Sequence, residues 1–180
     1  MTTVSRTLPL GARARFSVAR CVTALVLVVA AIAAVLGNEG YRGFEAAGAG
    51  LALRLVPDVA TAWSGTVFTT LRHGSAVGFQ ITPECTALVL LVPLVLLAAA
   101  LVLTTRAACW RILAAVAAMW AVVTLVNEFR LAVIGFTTLH WGIDPGYQIG
   151  HAFVGSVIGI VGFVAGLAVL LGVAVRKRTV

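Results

Sequence analysis

Charge is what this 180-residue chain has least of: Asp, Glu, Lys and Arg together make up 11% of it, less than half the roughly 25% of an ordinary soluble domain. Only six residues are acidic, against 13 basic ones. Hydrophobic residues reach 61%, too many for one globular core, and that richness also excludes intrinsic disorder, which requires low hydrophobicity. Cysteine is scarce as well. Cys21, Cys85 and Cys109 show no Cys-x-x-Cys spacing, which excludes a zinc ribbon, a thioredoxin-type redox motif and a disulfide-dense scaffold. The Gly-x-Ser-x-Gly elbow of serine hydrolases is missing too. What remains is the composition of an integral membrane protein.

The chain does have long uncharged runs. A spanning helix needs about 20 apolar residues to cross roughly 30 Å of hydrocarbon, and four runs approach that length: 21–38, 86–105, 112–126 and 152–175. The third runs up to Asn127 and continues beyond Arg130 through 131–141, as either one long helix or a broken one. The predicted fold is all-α, with about four transmembrane helices. The first run also fits a signal peptide, since an arginine-bearing leader precedes it and it contains the triplet Ala31-Ile32-Ala33; its apolar length favours an uncleaved anchor.

Lys and Arg are enriched on the cytoplasmic side of spans. Arg6, Arg13, Arg15 and Arg20 precede the first run, Arg106 and Arg111 link the second and third, and Arg176, Lys177 and Arg178 follow the last, with no acid among them. Both termini are therefore predicted to be cytoplasmic. The external segments then hold all six acids together with Arg42, Arg54, Arg72 and Arg130. The positive charge is spent on orientation, not on nucleic acid. The resulting division is a basic leader (1–20), a first span (21–38), an external segment (39–84) and a membrane core (85–180). Within the external segment, 43–56 (Phe44, Ala47, Leu51, Leu55) and 59–71 (Val59, Trp63, Val67, Leu71) place apolar residues at helical spacing, which predicts interfacial amphipathic helices. After His73-Gly74, alternation of Val77, Phe79 and Ile81 predicts a short strand.

Polar residues of chemical interest gather at one depth. Thr82 suits an N-cap, Pro83 the first helical position and Glu84 the first turn, so Cys85 is expected at the third helical position, where unpaired N–H groups and the helix dipole favour a thiolate. Cys21 and Cys109 fall at the opposite ends of spans, so Cys85 is a lone thiol on the outer side. Asn127 and Arg130 share a face of the third helix, and counting from Arg111 brings Arg130 to the level of Cys85. An arginine within a span is a functional-site hypothesis by default, or it snorkels to the headgroups; Glu128 is a possible neutralising partner. His151 opens the fourth run above Gly155, Gly159, Gly162 and Gly166, a stripe of small residues that should face neighbouring helices. Taken singly, each has a bland reading: a small apolar cysteine, a snorkelling arginine, a structural histidine like His73 and His140. Together, thiol, guanidinium and imidazole make a cysteine-nucleophile site. One thiol and one imidazole do not make a zinc site, and neither metal nor cofactor is expected.

This pattern resembles the exosortase/archaeosortase family of multi-pass membrane transpeptidases. The family is marked by a cysteine at the outer end of one span, an Asn-x-x-Arg in the next and a histidine at the start of another. The matching residues are Cys85 in Glu84-Cys85-Thr86-Ala87, Asn127 and Arg130 in Asn127-Glu128-Phe129-Arg130, and His151 in Gly150-His151-Ala152. Many members have Ser-Gly where this chain has Thr86-Ala87, and many are longer. The resemblance implies Cys85, Arg130 and His151 as catalytic residues, supported by Asn127 and Glu84. It implies a plasma-membrane enzyme, with its site on the external face, that cleaves C-terminal sorting signals of secreted proteins (short motif, transmembrane helix, basic tail) and passes them to an envelope acceptor or to water. The rival expectation is a non-catalytic scaffold or transporter subunit of an envelope or exopolysaccharide system, although no inverted repeat is visible.

Overall fold

A computed structural model describes residues 17–175. The leader arginines Arg6, Arg13 and Arg15 and the tail residues Arg176, Lys177 and Arg178 lie outside the described residues. Five helices dominate: α1 (Val18–Leu36), α2 (Asn38–Leu53), α3 (Leu88–Thr104), α4 (Cys109–Trp141) and α5 (Gly155–Val175). Three stretches are long and apolar enough to cross a membrane, namely α1, Cys109–Tyr147 and Ile149–Ala174. The apolar α3 has 17 residues, about 25 Å of helix.

The fold is mostly helical but not all-α. Between α2 and α3 lies an antiparallel sheet of β1 (Ala60–Ser64), β2 (Val67–Arg72) and β3 (Ser75–Gln80), in that order. The helix expected over 59–71 is therefore a hairpin. The reason lies in the spacing itself: positions four apart share a face of a strand as well as of a helix, and Thr61, Trp63, Val67, Phe68, Thr69 and Thr70 are β-branched or aromatic. Gly65, at φ +54°, reverses the chain so that Trp63 pairs with Phe68. The second reversal, His73-Gly74, has both residues at positive φ (48° and 82°), as a two-residue turn matching the twist of its strands requires. β3 occupies the place where alternation predicted a strand.

Helix α2 covers most of the helix expected over 43–56, and its inward face is not the apolar stripe. Phe44, Leu51 and Leu55 are exposed, while Arg42, Glu45, Ala46, Ala49, Gly50 and Leu53 are buried. Small residues decide this, because they let α2 approach its neighbours closely: a Cβ on Gly50 would lie 3.1 Å from the Trp63 ring.

The second span starts later than expected. Residues 82–87 form turns, with the Cys85 amide donating to the Thr82 carbonyl at 3.0 Å, and α3 begins at Leu88 with Ala87 as its N-cap. Helix α4 is continuous for 33 residues through Trp141, which answers the question left by 127–141. Its buried positions Ile112, Ala115, Met119, Val123, Asn127, Leu131 and Ile134 recur at steps of three and four. That single stripe serves two cores. One is shared with α1, α3 and α5 (Leu27, Leu91, Val95, Leu170) and the other with α2 and the sheet (Ala49, Leu53, Phe68, Ile81). Asn127 is the polar residue between them.

The chain returns from α4 through two π-helical turns, Gly142–Tyr147 and Ile149–Val154, into α5. Three of the four stripe glycines meet neighbouring side chains there. A Cβ on Gly166 would lie 2.5 Å from Val123 Cγ2, one on Gly162 2.9 Å from Val126 Cγ1, and one on Gly155 3.2 Å from Arg130 Nε; Gly159 meets nothing within 4 Å. Where lipid gives helices no hydrophobic reason to associate, such close approach is what holds them. At the far end, the Arg20 guanidinium donates to the carbonyls of Val102 and Ala107, both at 2.7 Å, and of Thr105, and Arg111 donates to the Val173 carbonyl. The start of α1, the α3–α4 link and the end of α5 are thus clasped together, opposite the end that carries Cys85.

Candidate active site

Cys85 sits in the turns before α3 and is held by its backbone. The buried N–H of Ala87, one of the donors left without an intrahelical partner at a helix start, is taken by the Glu45 carboxylate of α2 at 2.8 Å. The same oxygen, Oε1, accepts from Asn127 Nδ2 of α4 at 2.8 Å, and Asn127 Nδ2 also donates to the Cys85 carbonyl at 3.1 Å. Two helices therefore fix the segment that presents the thiol. Capping by this distant carboxylate replaces the local capping expected of Thr82.

The thiol meets His151 across 66 residues of chain, with Cys85 Sγ 3.3 Å from His151 Nε2. The imidazole is placed by the π-helical turns. These press so closely on α4 that a Cβ at Gly146 would overlap the Thr137 carbonyl and one at Gly150 the Thr137 hydroxyl. Tyr147 stacks on the His151 ring, centroids 5.1 Å apart and planes 17° apart. Thiol and imidazole within hydrogen-bond reach can exchange a proton, which is the first requirement of nucleophilic catalysis by cysteine.

Arg130 reaches this cluster through Asn127, its Nη1 lying 3.4 Å from Asn127 Oδ1. Its Nε is buried without a hydrogen-bond partner among the described residues. It heads a groove of about 390 Å³ between α3 and α5, lined further by Glu84, Gly155, Ser156 and Gly159. Glu128 does not neutralise it. That carboxylate points toward α2, where a Cβ on Gly48 would come within 2.5 Å of it, and both oxygens are buried without a partner among the described residues. Glu84 is exposed and lies outside α3; a hydrogen bond from Thr82 holds its carboxyl below the usual range. His73 sits in the β2–β3 turn, and His140 lies against Phe136. All three cysteines are free thiols, and Cys109 opens α4, 18 residues before Asn127, about 27 Å away along the helix.

Sequence reasoning missed Glu45. It is completely buried, and burial pushes its carboxyl up from the ordinary range against the opposing hydrogen bonds from Ala87, Thr86 and Asn127. The available signal was the company it keeps: Arg42, Glu45, Ala46, Ala49 and Gly50 share one helical face, and charges among small residues mark a face turned inward. A second feature invisible to motif reading is a largely apolar cavity of about 320 Å³ onto which both Cys85 and His151 open.

A family model described as transmembrane exosortase matches residues 7–172. No curated protein and no solved structure gives a match.

Proposed function

The chain belongs to the transmembrane exosortase family, and from that premise we propose that it is a membrane-embedded cysteine protease or transpeptidase. Its substrates are secreted proteins carrying a C-terminal sorting signal: a short motif, a transmembrane helix and a basic tail. The observation that carries this reading is the 3.3 Å approach of Cys85 Sγ to His151 Nε2.

In the proposed reaction the thiol passes its proton to His151 Nε2 as sulfur attacks the scissile carbonyl. The imidazole, whose ordinary pKa of about 6.5 suits both directions of transfer, returns the proton to the departing amine and leaves a thioester on Cys85. An amine or hydroxyl of an envelope acceptor, or water, then attacks the thioester and frees the thiol. Arg130, oriented by Asn127, supplies positive charge toward the oxyanion, where one donor contributes roughly 3 kcal/mol. Positive-inside charge puts the Arg20 end in the cytoplasm and Cys85 at the external face of the plasma membrane. The substrate helix lies in the groove between α3 and α5, against Gly155, Ser156 and Gly159, so that its motif arrives at the depth of Cys85.

The test is Cys85→Ala, with the tail of a co-expressed substrate followed by immunoblot. The tail should persist. Removal at the normal rate overturns the reading, and a scaffold or transporter subunit would tolerate the change.

A further inference from the structure

The sheet beside Cys85 has an open edge. β3 is its last strand, and just beyond it the Ile81 amide donates to the Thr66 carbonyl at 2.9 Å, so it points toward β2. Backbone groups reverse direction at each residue along a strand. The amides and carbonyls of Val77 and Phe79 therefore face β2, and those of Ala76, Gly78 and Gln80 face away from the sheet. No described residue hydrogen-bonds these outward groups. Gly78 and Gln80 line the cavity onto which Cys85 and His151 open, together with Leu131, Ile134 and Thr138 of α4 and Ile143 and Tyr147 of the first π-helical turn.

We propose that an extended peptide, the stretch of substrate next to the bond that Cys85 attacks, pairs with the outer edge of β3 as a fourth strand and places one apolar side chain in the 320 Å³ cavity. The identity of the occupant follows from two demands made together. A row of alternating donors and acceptors is matched by another peptide backbone, the mode of strand addition, and the apolar wall selects a large aliphatic or aromatic side chain. An acyl chain would satisfy the wall but leave the edge unpaired. Since β3 runs directly into the turns bearing Cys85, a strand laid on it is aimed at the thiol. This assignment rests on the reading of Cys85 as the nucleophile.

The full chain, purified in detergent with Cys21→Ser and Cys109→Ser, is treated with chloromethyl ketones of acetylated tetrapeptides in which one position at a time is Gly, Val or Phe. Addition to Cys85 is followed by intact mass. At one position Val or Phe should label at least tenfold faster than Gly. Replacing the edge-facing amide of the best probe by an ester should slow it at least fivefold, a measurement that needs no further variant. Gly78→Pro, which removes an outward amide while sparing the bonds to β2, should lower the ratio of tetrapeptide to iodoacetamide labelling at least tenfold. Labelling indifferent to side chain and ester at every position overturns the proposal, as does a dodecyl chloromethyl ketone that labels as fast as the best peptide. Failure of the underlying reading shows elsewhere, as tail removal by the Cys85→Ala chain.

Discussion

Replacing Glu45 by alanine tests whether the thiol segment is held from outside itself. The change leaves the Ala87 N–H buried with no acceptor and takes one of two acceptors from the Asn127 amide. An unsatisfied buried donor costs about 1–3 kcal/mol, and Asn127, which keeps the Cys85 carbonyl, belongs at the low end. Together with the void left by a fully buried side chain, the loss is about 2–4 kcal/mol. For a chain of this size each kcal/mol lowers the unfolding midpoint by about 2–4 °C, so a fall of roughly 5–15 °C is expected. Glu45→Gln keeps an oxygen at Oε1 for both donors and should stay within about 1 kcal/mol of the wild type. The pair also separates by pH. Because burial raises the carboxyl's pKa in the folded chain, folding takes up a proton between the ordinary carboxylate range and the raised value, and stability falls as pH rises through that window. Glu45→Gln should make that slope shallower by removing this carboxyl's contribution. Tryptophan fluorescence (the chain has four) reports thermal unfolding in detergent from pH 4 to 8, and iodoacetamide labelling reports the setting of Cys85. An alanine variant with wild-type midpoint and wild-type labelling rate would refute the reasoning.

Other outcomes follow from the same contacts. His151→Ala should reduce tail removal at least about 100-fold, the low end of general acid–base contributions, with little change in unfolding temperature; an unchanged rate would remove the imidazole from the mechanism. Two glycines of one stripe should behave oppositely under substitution by valine. Gly166→Val, which drives a side chain into Val123, should cost about 1–3 kcal/mol by overpacking, while Gly159→Val, facing open space in the groove, should leave the midpoint unchanged and slow processing of tail-bearing substrates. Arg20→Ala removes donors to three carbonyls at the α3–α4 link and should cost about 1–3 kcal/mol of stability, read as a lower unfolding midpoint, without altering Cys85 labelling at temperatures where the chain is folded.

The parts legible in the sequence are those governed by long apolar runs or by a residue type that rarely enters lipid. Helices α1, α4 and α5 announce themselves by length, and Cys85, Asn127, Arg130 and His151 stood out because polar groups at a common depth are few. The hairpin of β1 and β2 is not legible because the apolar residues of 59–71 stand four apart, a spacing compatible with both periods. The inward face of α2 is not legible for a deeper reason: hydrophobicity singles out Phe44 and Leu51, which stay outside, whereas the inward face is chosen by close fit, so Ala46, Ala49 and Gly50 turn in and take Glu45 with them. The start of α3 was misplaced because its cap comes from 42 residues away, beyond any local rule.

That distance has a consequence for how the protein is made. Glu45 emerges from the ribosome 42 residues before Ala87 and 82 before Asn127, and Cys85 emerges 66 before His151. Until the middle of α4 has been synthesised, the carboxylate lacks its second donor and the turns bearing the thiol lack the brace that Asn127 gives the Cys85 carbonyl. The reactive arrangement is therefore among the last things to form, and a nascent chain, or one truncated before the fold-back, passes through the membrane with its thiol unarmed.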